Sequence, residues 1–88
     1  MTIYDKSSEQ EQIAFVNTGA KEADFQSLAK GFVLKTTANV YIAFDRPANT
    51  GDFVLASADL TCDFDIPATR ISALGVSGSG ILYIIARR

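Results

Sequence analysis

The chain has 88 residues, a formal net charge of −2 and 48 % apolar residues. A chain this short buries only a small core, so disulfides, a metal or oligomerisation usually add to its stability. One cysteine and no histidine exclude an intrachain disulfide and remove the commonest zinc ligand and general base. The composition therefore favours one small domain that oligomerises over a self-sufficient monomer. It argues against a membrane span and against a basic nucleic-acid groove.

The first twelve residues, MTIYDKSSEQEQ, are polar and carry only Ile3 and Tyr4 as apolar anchors. We predict an N-terminal arm over residues 1–12, in an extended form, and a single domain over residues 13–88. Two interpretations of the arm are open: a frayed terminus, or a segment that becomes ordered on a neighbouring subunit. The arm has no apolar core typical of a secretory signal, so synthesis in a cytoplasm is expected.

Alternation of apolar and polar residues, typical of half-buried strands, recurs along the rest of the chain. The segments predicted as strands are QIAFVN, GFVLKTT, VYIAFD, DFVLAS, ADLTCDFDI, RISALGVS and ILYIIAR. Residues 20–31, AKEADFQSLAKG, are open between helix and strand, and we favour a strand around Phe25 because its neighbours are β. The pattern predicts an all-β fold, a small antiparallel β-sandwich or jelly roll of about seven to eight short strands.

The closing segment, GVSGSGILYIIARR, contains a strand that is apolar on both faces. Gly78 and Gly80 predict a tight hairpin that joins this strand to the preceding one. One apolar face belongs in the core, and the other is covered either by a neighbouring subunit or within the chain. We favour the subunit contact and predict an interface made of Tyr83, Ile85, Arg87, Arg88, Ile3 and Tyr4.

The sequence contains few residue patterns that support catalysis. Cys62 shares a strand face with Leu60 and Phe64, which predicts a core thiol, and no histidine is present to activate it. The alternating aspartates of ADLTCDFDI are typical of a solvated strand face, because calcium loops place their oxygens on a tight turn. We therefore predict no enzyme activity, no catalytic residue, no metal and no cofactor.

The DRPANTGD loop offers contacts for a ligand or partner through Asp45, Arg46 and Asn49, although a proline-fixed surface turn with a local ion pair is favoured. Charge is uneven along the chain, with the middle acidic and the end basic. Either these charges are scattered and solvated, or they attract one end of a subunit to the other end of its neighbour.

Residues 30–88 resemble a known type of protein through VYIAFDRPA, an Asp-Phe strand start, TRISALGVSGSG and the closing LYIIA. This pattern resembles small virion-associated β-sandwich proteins of tailed bacteriophages: head decoration (cement) or fibre-base components. The resemblance implies a structural protein of the virion, without a cofactor, made in the host cytoplasm. It also implies a homo-oligomer, with a trimer favoured, that binds the major capsid protein or a tail or fibre protein. It provides no site residues.

The alternative function is a carbohydrate- or receptor-binding β-sandwich module. Such modules usually present exposed aromatic rings as stacking platforms. Tyr41 is the best candidate for a platform, although cross-strand packing is the favoured role for this side chain.

Overall fold

The computed structural model describes residues 9–57 and 61–87, without the side chains of Glu9, Gln26 and Ser27. Eight strands run through these two ranges: β1 (Glu9–Phe15), β2 (Lys21–Ala29), β3 (Gly31–Thr36), β4 (Val40–Phe44), β5 (Phe53–Leu55), β6 (Cys62–Phe64), β7 (Ala68–Gly75) and β8 (Gly80–Arg87). The predicted all-β fold is confirmed, and so is the strand around Phe25. The described ranges contain no helix long and apolar enough to cross a membrane.

The strands form two antiparallel sheets, the first in the order β1-β8-β3-β6 and the second in the order β2-β7-β4-β5. The paired strands β1·β8, β2·β7, β3·β6 and β4·β5 alternate between the two sheets. The chain is therefore one long hairpin, rolled up so that each successive pair lies in the opposite sheet. This arrangement is the jelly roll. The tip of the long hairpin is the loop of residues 45–52, between β4 and β5.

The hydrophobic core lies between the two sheets and is built by the period-two alternation of each strand. The first sheet contributes Ile13, Phe15, Phe32, Leu34, Leu82, Ile84 and Ala86, and the second sheet contributes Ala23, Phe25, Val40, Ile42, Leu55, Ile71 and Ala73. β8 is a central strand, paired with β1 on one side and with β3 on the other. The inward-facing residues Leu82, Ile84 and Ala86 lie in the core, which explains why one of its two faces is apolar.

The predicted hairpin between the last two strands is wrong. β7 belongs to the second sheet and β8 to the first, so residues 76–79 cross the sandwich. The neighbouring glycines permit close packing. A Cβ on Gly75 would lie 2.0 Å from the Gly78 carbonyl oxygen, and one on Gly80 would lie 2.7 Å from the Phe15 ring. The glycines of GVSGSG therefore lie at a crowded crossing between the two sheets. A tight turn and a close approach of two segments both favour glycine, so the pattern alone does not distinguish them.

Two strand boundaries differ from the predicted ones. Residues 9–12, assigned to the N-terminal arm, form the first half of β1, because their backbone pairs with β8 whatever the polarity of their side chains. The segment ADLTCDFDI was expected to form a long half-buried strand. Residues 58–60 of this segment lie outside the described residues. In the described part, β6 runs over Cys62–Phe64, the three residues that pair with β3, and Ile66 beyond it is 40 % exposed.

Candidate interaction surface

The outer face of the first sheet carries the second apolar side of β8. The strand register arranges its outward side chains in rows across the sheet. Gln12, Tyr83 and Lys35 form one row, here the tyrosine row. The next row, here the isoleucine row, contains Gln10, Ile85, Val33 and Asp63. Adjacent rows lie about 7 Å apart and adjacent strands about 4.8 Å apart.

An apolar stripe runs along the middle of this face. It consists of Ile81, Tyr83 and Ile85 on β8 with Val33 beside them on β3. Tyr83 is 41 % exposed, whereas the other three side chains are half-buried. A central strand of a one-sided sheet normally presents polar residues to water. The outer face of the first sheet is therefore unusual. It contains Tyr83 and Ile85, two of the residues predicted to form an interface.

Tyr83, Ile85 and Val33 of this stripe line a hollow of about 880 Å³. Gln10 and Gln12 border the hollow on the β1 side, and Lys35 and Thr61 border it on the other. The rim is thus polar and the centre apolar, which is the usual anatomy of a protein interface.

Arg87 closes one end of the face by crossing from β8 to the segment at β6. Its Nη2 donates to Asp63 Oδ1 at 2.5 Å and to Asp65 Oδ1 at 2.9 Å. The guanidinium reaches these carboxylates over Gly31, where a Cβ would lie 2.6 Å from Nη2. Two carboxylates share one arginine, so the group formed by Arg87, Asp63 and Asp65 carries one net negative charge. Lys35 supplies a positive charge nearby and forms no ion pair with any described residue.

The loop of residues 45–52 uses its polar groups within the chain. Asp45 adopts a left-handed backbone with φ of 59°. Its Oδ1 accepts the backbone N–H groups of Thr69 at 2.9 Å and Arg70 at 3.0 Å. Asp45 therefore joins the hairpin tip to the start of β7, 24 residues further along the chain.

The rest of this loop is fixed by a second carboxylate. Arg46 donates to Asp52 through both terminal nitrogens, with Nη1 at 2.9 Å from Oδ2. Oδ2 of Asp52 also accepts the N–H of Asn49 at 2.8 Å, and Oδ1 of Asn49 accepts the N–H of Gly51 at 2.9 Å. The hydrogen bond from Arg46 and, to a smaller extent, the one from the Asn49 N–H hold the pKa of Asp52 below its usual range. The same bond to Asp52 raises the pKa of Arg46. The loop is the proline-fixed turn with a local ion pair.

This loop also covers part of the second sheet. Ala48 is buried, and its N–H donates to Ser72 Oγ at 2.9 Å on the outer side of β7. Tyr41, beyond the covered part, lies between Leu74 and Val54 in the strand register and is half-buried. Its position fits the cross-strand packing role that was favoured for it.

A smaller hollow of about 300 Å³ opens at the edge of the sandwich formed by β5 and β6. Phe44 and Phe64 line it, and the Phe53 ring meets Phe64 edge-on at 5.7 Å. Phe53 is 59 % exposed, so this edge is also apolar. It has no polar side chain free to orient a ligand among the described lining residues, because Arg46 and Asp52 are bonded to each other.

Of the predicted interface residues, the structure brings Tyr83, Ile85 and Arg87 to one face. Ile3, Tyr4 and Arg88 lie outside the described residues. Asp45, Arg46 and Asn49 lie together on the tip loop. Val33, Lys35 and the two glutamines were not among the predicted interface residues, although their outward positions alternate visibly in GFVLKT and EQEQIAF. The strand order that makes them neighbours of Tyr83 cannot be read from those patterns.

Two arginines near the end of the chain form ion pairs inside one molecule, and one of them pairs with the acidic middle. Arg87 binds Asp63 and Asp65, while Arg70 Nε donates to Asp24 Oδ1 at 2.7 Å. In the described ranges, no group of three or more carboxylate or thiol side chains is placed to hold a metal ion.

No family model, curated protein or solved structure matches the chain.

Proposed function

We propose that the chain is a structural protein of a bacteriophage virion that self-associates and binds the particle lattice, as a decoration (cement) protein or another minor component. The observation that carries this proposal is the apolar stripe on β8. It lies at the centre of a sheet face, and no described residue covers it. Viral capsid proteins are among those that use the jelly roll, which supports the proposal by analogy of fold.

The stripe supplies enough apolar area to stabilise a contact. An aromatic side chain can bury about 150–250 Å². Tyr83 is 41 % exposed, so covering it removes about 80 Å² from water, worth about 2 kcal/mol for each copy. Ile85 and Val33 add smaller amounts. Part of this gain is offset by the loss of translational and rotational freedom on association.

Replacing Ile85 by aspartate tests the proposed contact. Ile85 is half-buried and faces outward, so the variant is expected to fold and to place a charge in the middle of the apolar stripe. Light scattering after size-exclusion chromatography should then give a lower molar mass than for the parent protein. Val54→Asp is the matched control, because Val54 is exposed on the outer face of the second sheet. An unchanged mass for the Ile85 variant, with native circular dichroism, would place the contact elsewhere.

The virion assignment has its own test. The protein is expected to co-sediment with intact phage particles in a density gradient and to be recovered from them by mass spectrometry. Its absence from purified particles that contain the other virion proteins would overturn the assignment, and self-association would stand or fall separately.

A carbohydrate-binding function is the second candidate, and one observation favours it. Tyr83 stands exposed in a hollow between Gln12 and Lys35, an aromatic ring flanked by hydrogen-bonding side chains. Lectins also use the jelly roll. Binding on a glycan array that disappears with Tyr83→Ala and persists with Tyr41→Ala would favour this function over the structural one.

A further inference from the structure

We infer that the outer face of the first sheet binds a second copy of the same face, about a twofold axis that runs across the strands. The axis passes midway between the tyrosine row and the isoleucine row. This inference rests on the proposed self-association and specifies its geometry. A twofold contact gives a pair of copies in place of the trimer that the resemblance implies.

The sizes of the outward side chains are complementary about this axis. Tyr83 is the largest and most exposed member of the stripe, and Ile85 and Val33, one row away, are shorter and half-buried. The rotation exchanges the two rows. Each Tyr83 is thereby placed over the Ile85 of the second copy, beside its Val33 on the neighbouring strand. Two such contacts form, one from each tyrosine, as an isologous interface requires.

The charges select the same axis. Within one chain, Asp63 lies on the next strand from Lys35 and in the other row. Because the rotation exchanges the rows, Asp63 of the second copy comes level with Lys35 along the strand direction. Lys35 then lies about 5 Å, one strand spacing, from the lateral position of Asp63 in the second copy. The excess negative charge of the group formed by Arg87, Asp63 and Asp65 thus meets a lysine that has no described partner within its own chain. Opposed charges of this kind fix the register of an interface.

The other simple twofold axis, parallel to β8, lacks both features. It would place Tyr83 over Tyr83 of the second copy and Lys35 over Gln12. Asp63 of the second copy would then be about three strand spacings from Lys35. Large side chains would face large ones, and the charges would stay unpaired.

Two charge reversals test this geometry. In Lys35→Asp, each aspartate introduced at position 35 meets Asp63 of the second copy. In Asp63→Lys, each lysine introduced at position 63 meets Lys35. Each variant alone is expected to self-associate at least about tenfold more weakly than the parent protein, because like charges face each other at two places.

A mixture of the two variants is expected to restore association. One pair then joins Asp at position 35 to Lys at position 63, and the other joins the native Lys35 to the native Asp63. Sedimentation velocity of each variant and of the equimolar mixture, at low salt, measures this complementation. Lys21→Asp is the matched control, because Lys21 is exposed on β2 of the second sheet and lies away from the face.

The outcomes separate this geometry from the proposed function. If the parent protein pairs, each variant weakens and the mixture recovers, the twofold arrangement is supported. If the parent protein associates and the mixture stays as weak as the single variants, or if the parent forms trimers, the twofold arrangement is wrong and self-association stands. A parent protein that is monomeric at every concentration overturns both.

Discussion

Asp45 allows a test of how the tip of the long hairpin is held. Replacing it with alanine removes the carboxylate that accepts the N–H groups of Thr69 and Arg70. These bonds are exposed, so each contributes about 1 kcal/mol. Alanine must also adopt the φ of 59°, which costs roughly 1 kcal/mol more than it does for aspartate. The expected loss in the free energy of unfolding is about 3 kcal/mol.

Two further substitutions at this position separate hydrogen bonding from backbone strain. Glycine loses the same bonds but tolerates the left-handed backbone, so Asp45→Gly should cost about 2 kcal/mol. Asparagine keeps an acceptor oxygen and tolerates the backbone, and Asp45→Asn should cost about 1 kcal/mol. The predicted order of stability is wild type, asparagine, glycine, alanine.

Thermal unfolding followed by circular dichroism measures this series. In a domain of this size, 1 kcal/mol shifts the Tm by about 4–8 °C, so the alanine variant should melt more than about 10 °C below wild type. Equal Tm values for glycine and alanine would refute the strain argument. An alanine variant as stable as wild type would refute the role of the carboxylate as well.

Two other predictions concern the crowded crossing between sheets and the ion pair of the tip loop. Gly75→Ala places a Cβ against the backbone of Gly78, which cannot move aside. Chemical denaturation should show that it lowers the free energy of unfolding by at least about 1–3 kcal/mol. Gly19→Ala is the control, because open space surrounds Gly19, and it should be close to neutral. Because its folded-state pKa is lowered, Asp52 stabilises the fold above its usual pKa of about 3.9, and this contribution is lost as the pH falls through the lowered value. Asp52→Asn should therefore lower the Tm at pH 6 and converge with wild type towards pH 2, and parallel curves over that range would contradict the assignment.

The sequence predicted the faces of strands better than their partners. In GFVLKT and ILYIIAR, alternation identified the buried residues, because burial on a strand repeats every two residues. Leu34 and Ile84 are fully buried, and Tyr83 faces outward. Because ILYIIA is apolar on both faces of its strand, it also indicated the outer face of the first sheet, which carries the proposed contact.

Strand order was beyond the sequence, because pairing joins residues far apart in the chain. β3 pairs with both β6 and β8, and only that arrangement places Lys35 beside Tyr83. The bonds from Thr69 and Arg70 to Asp45 span 24 and 25 residues and leave no local signal. The glycines of GVSGSG were misread for a related reason, since close approach to another segment and a tight turn both require a missing Cβ.

The most direct test of the account is the molar mass of the purified wild-type protein, measured by light scattering after size-exclusion chromatography across a dilution series. The account predicts twice the monomer mass of 9.5 kDa at high concentration, with a decline towards the monomer mass on dilution. A mass of 9.5 kDa at every concentration would contradict it, and the outer face of the first sheet would then have no role in self-association.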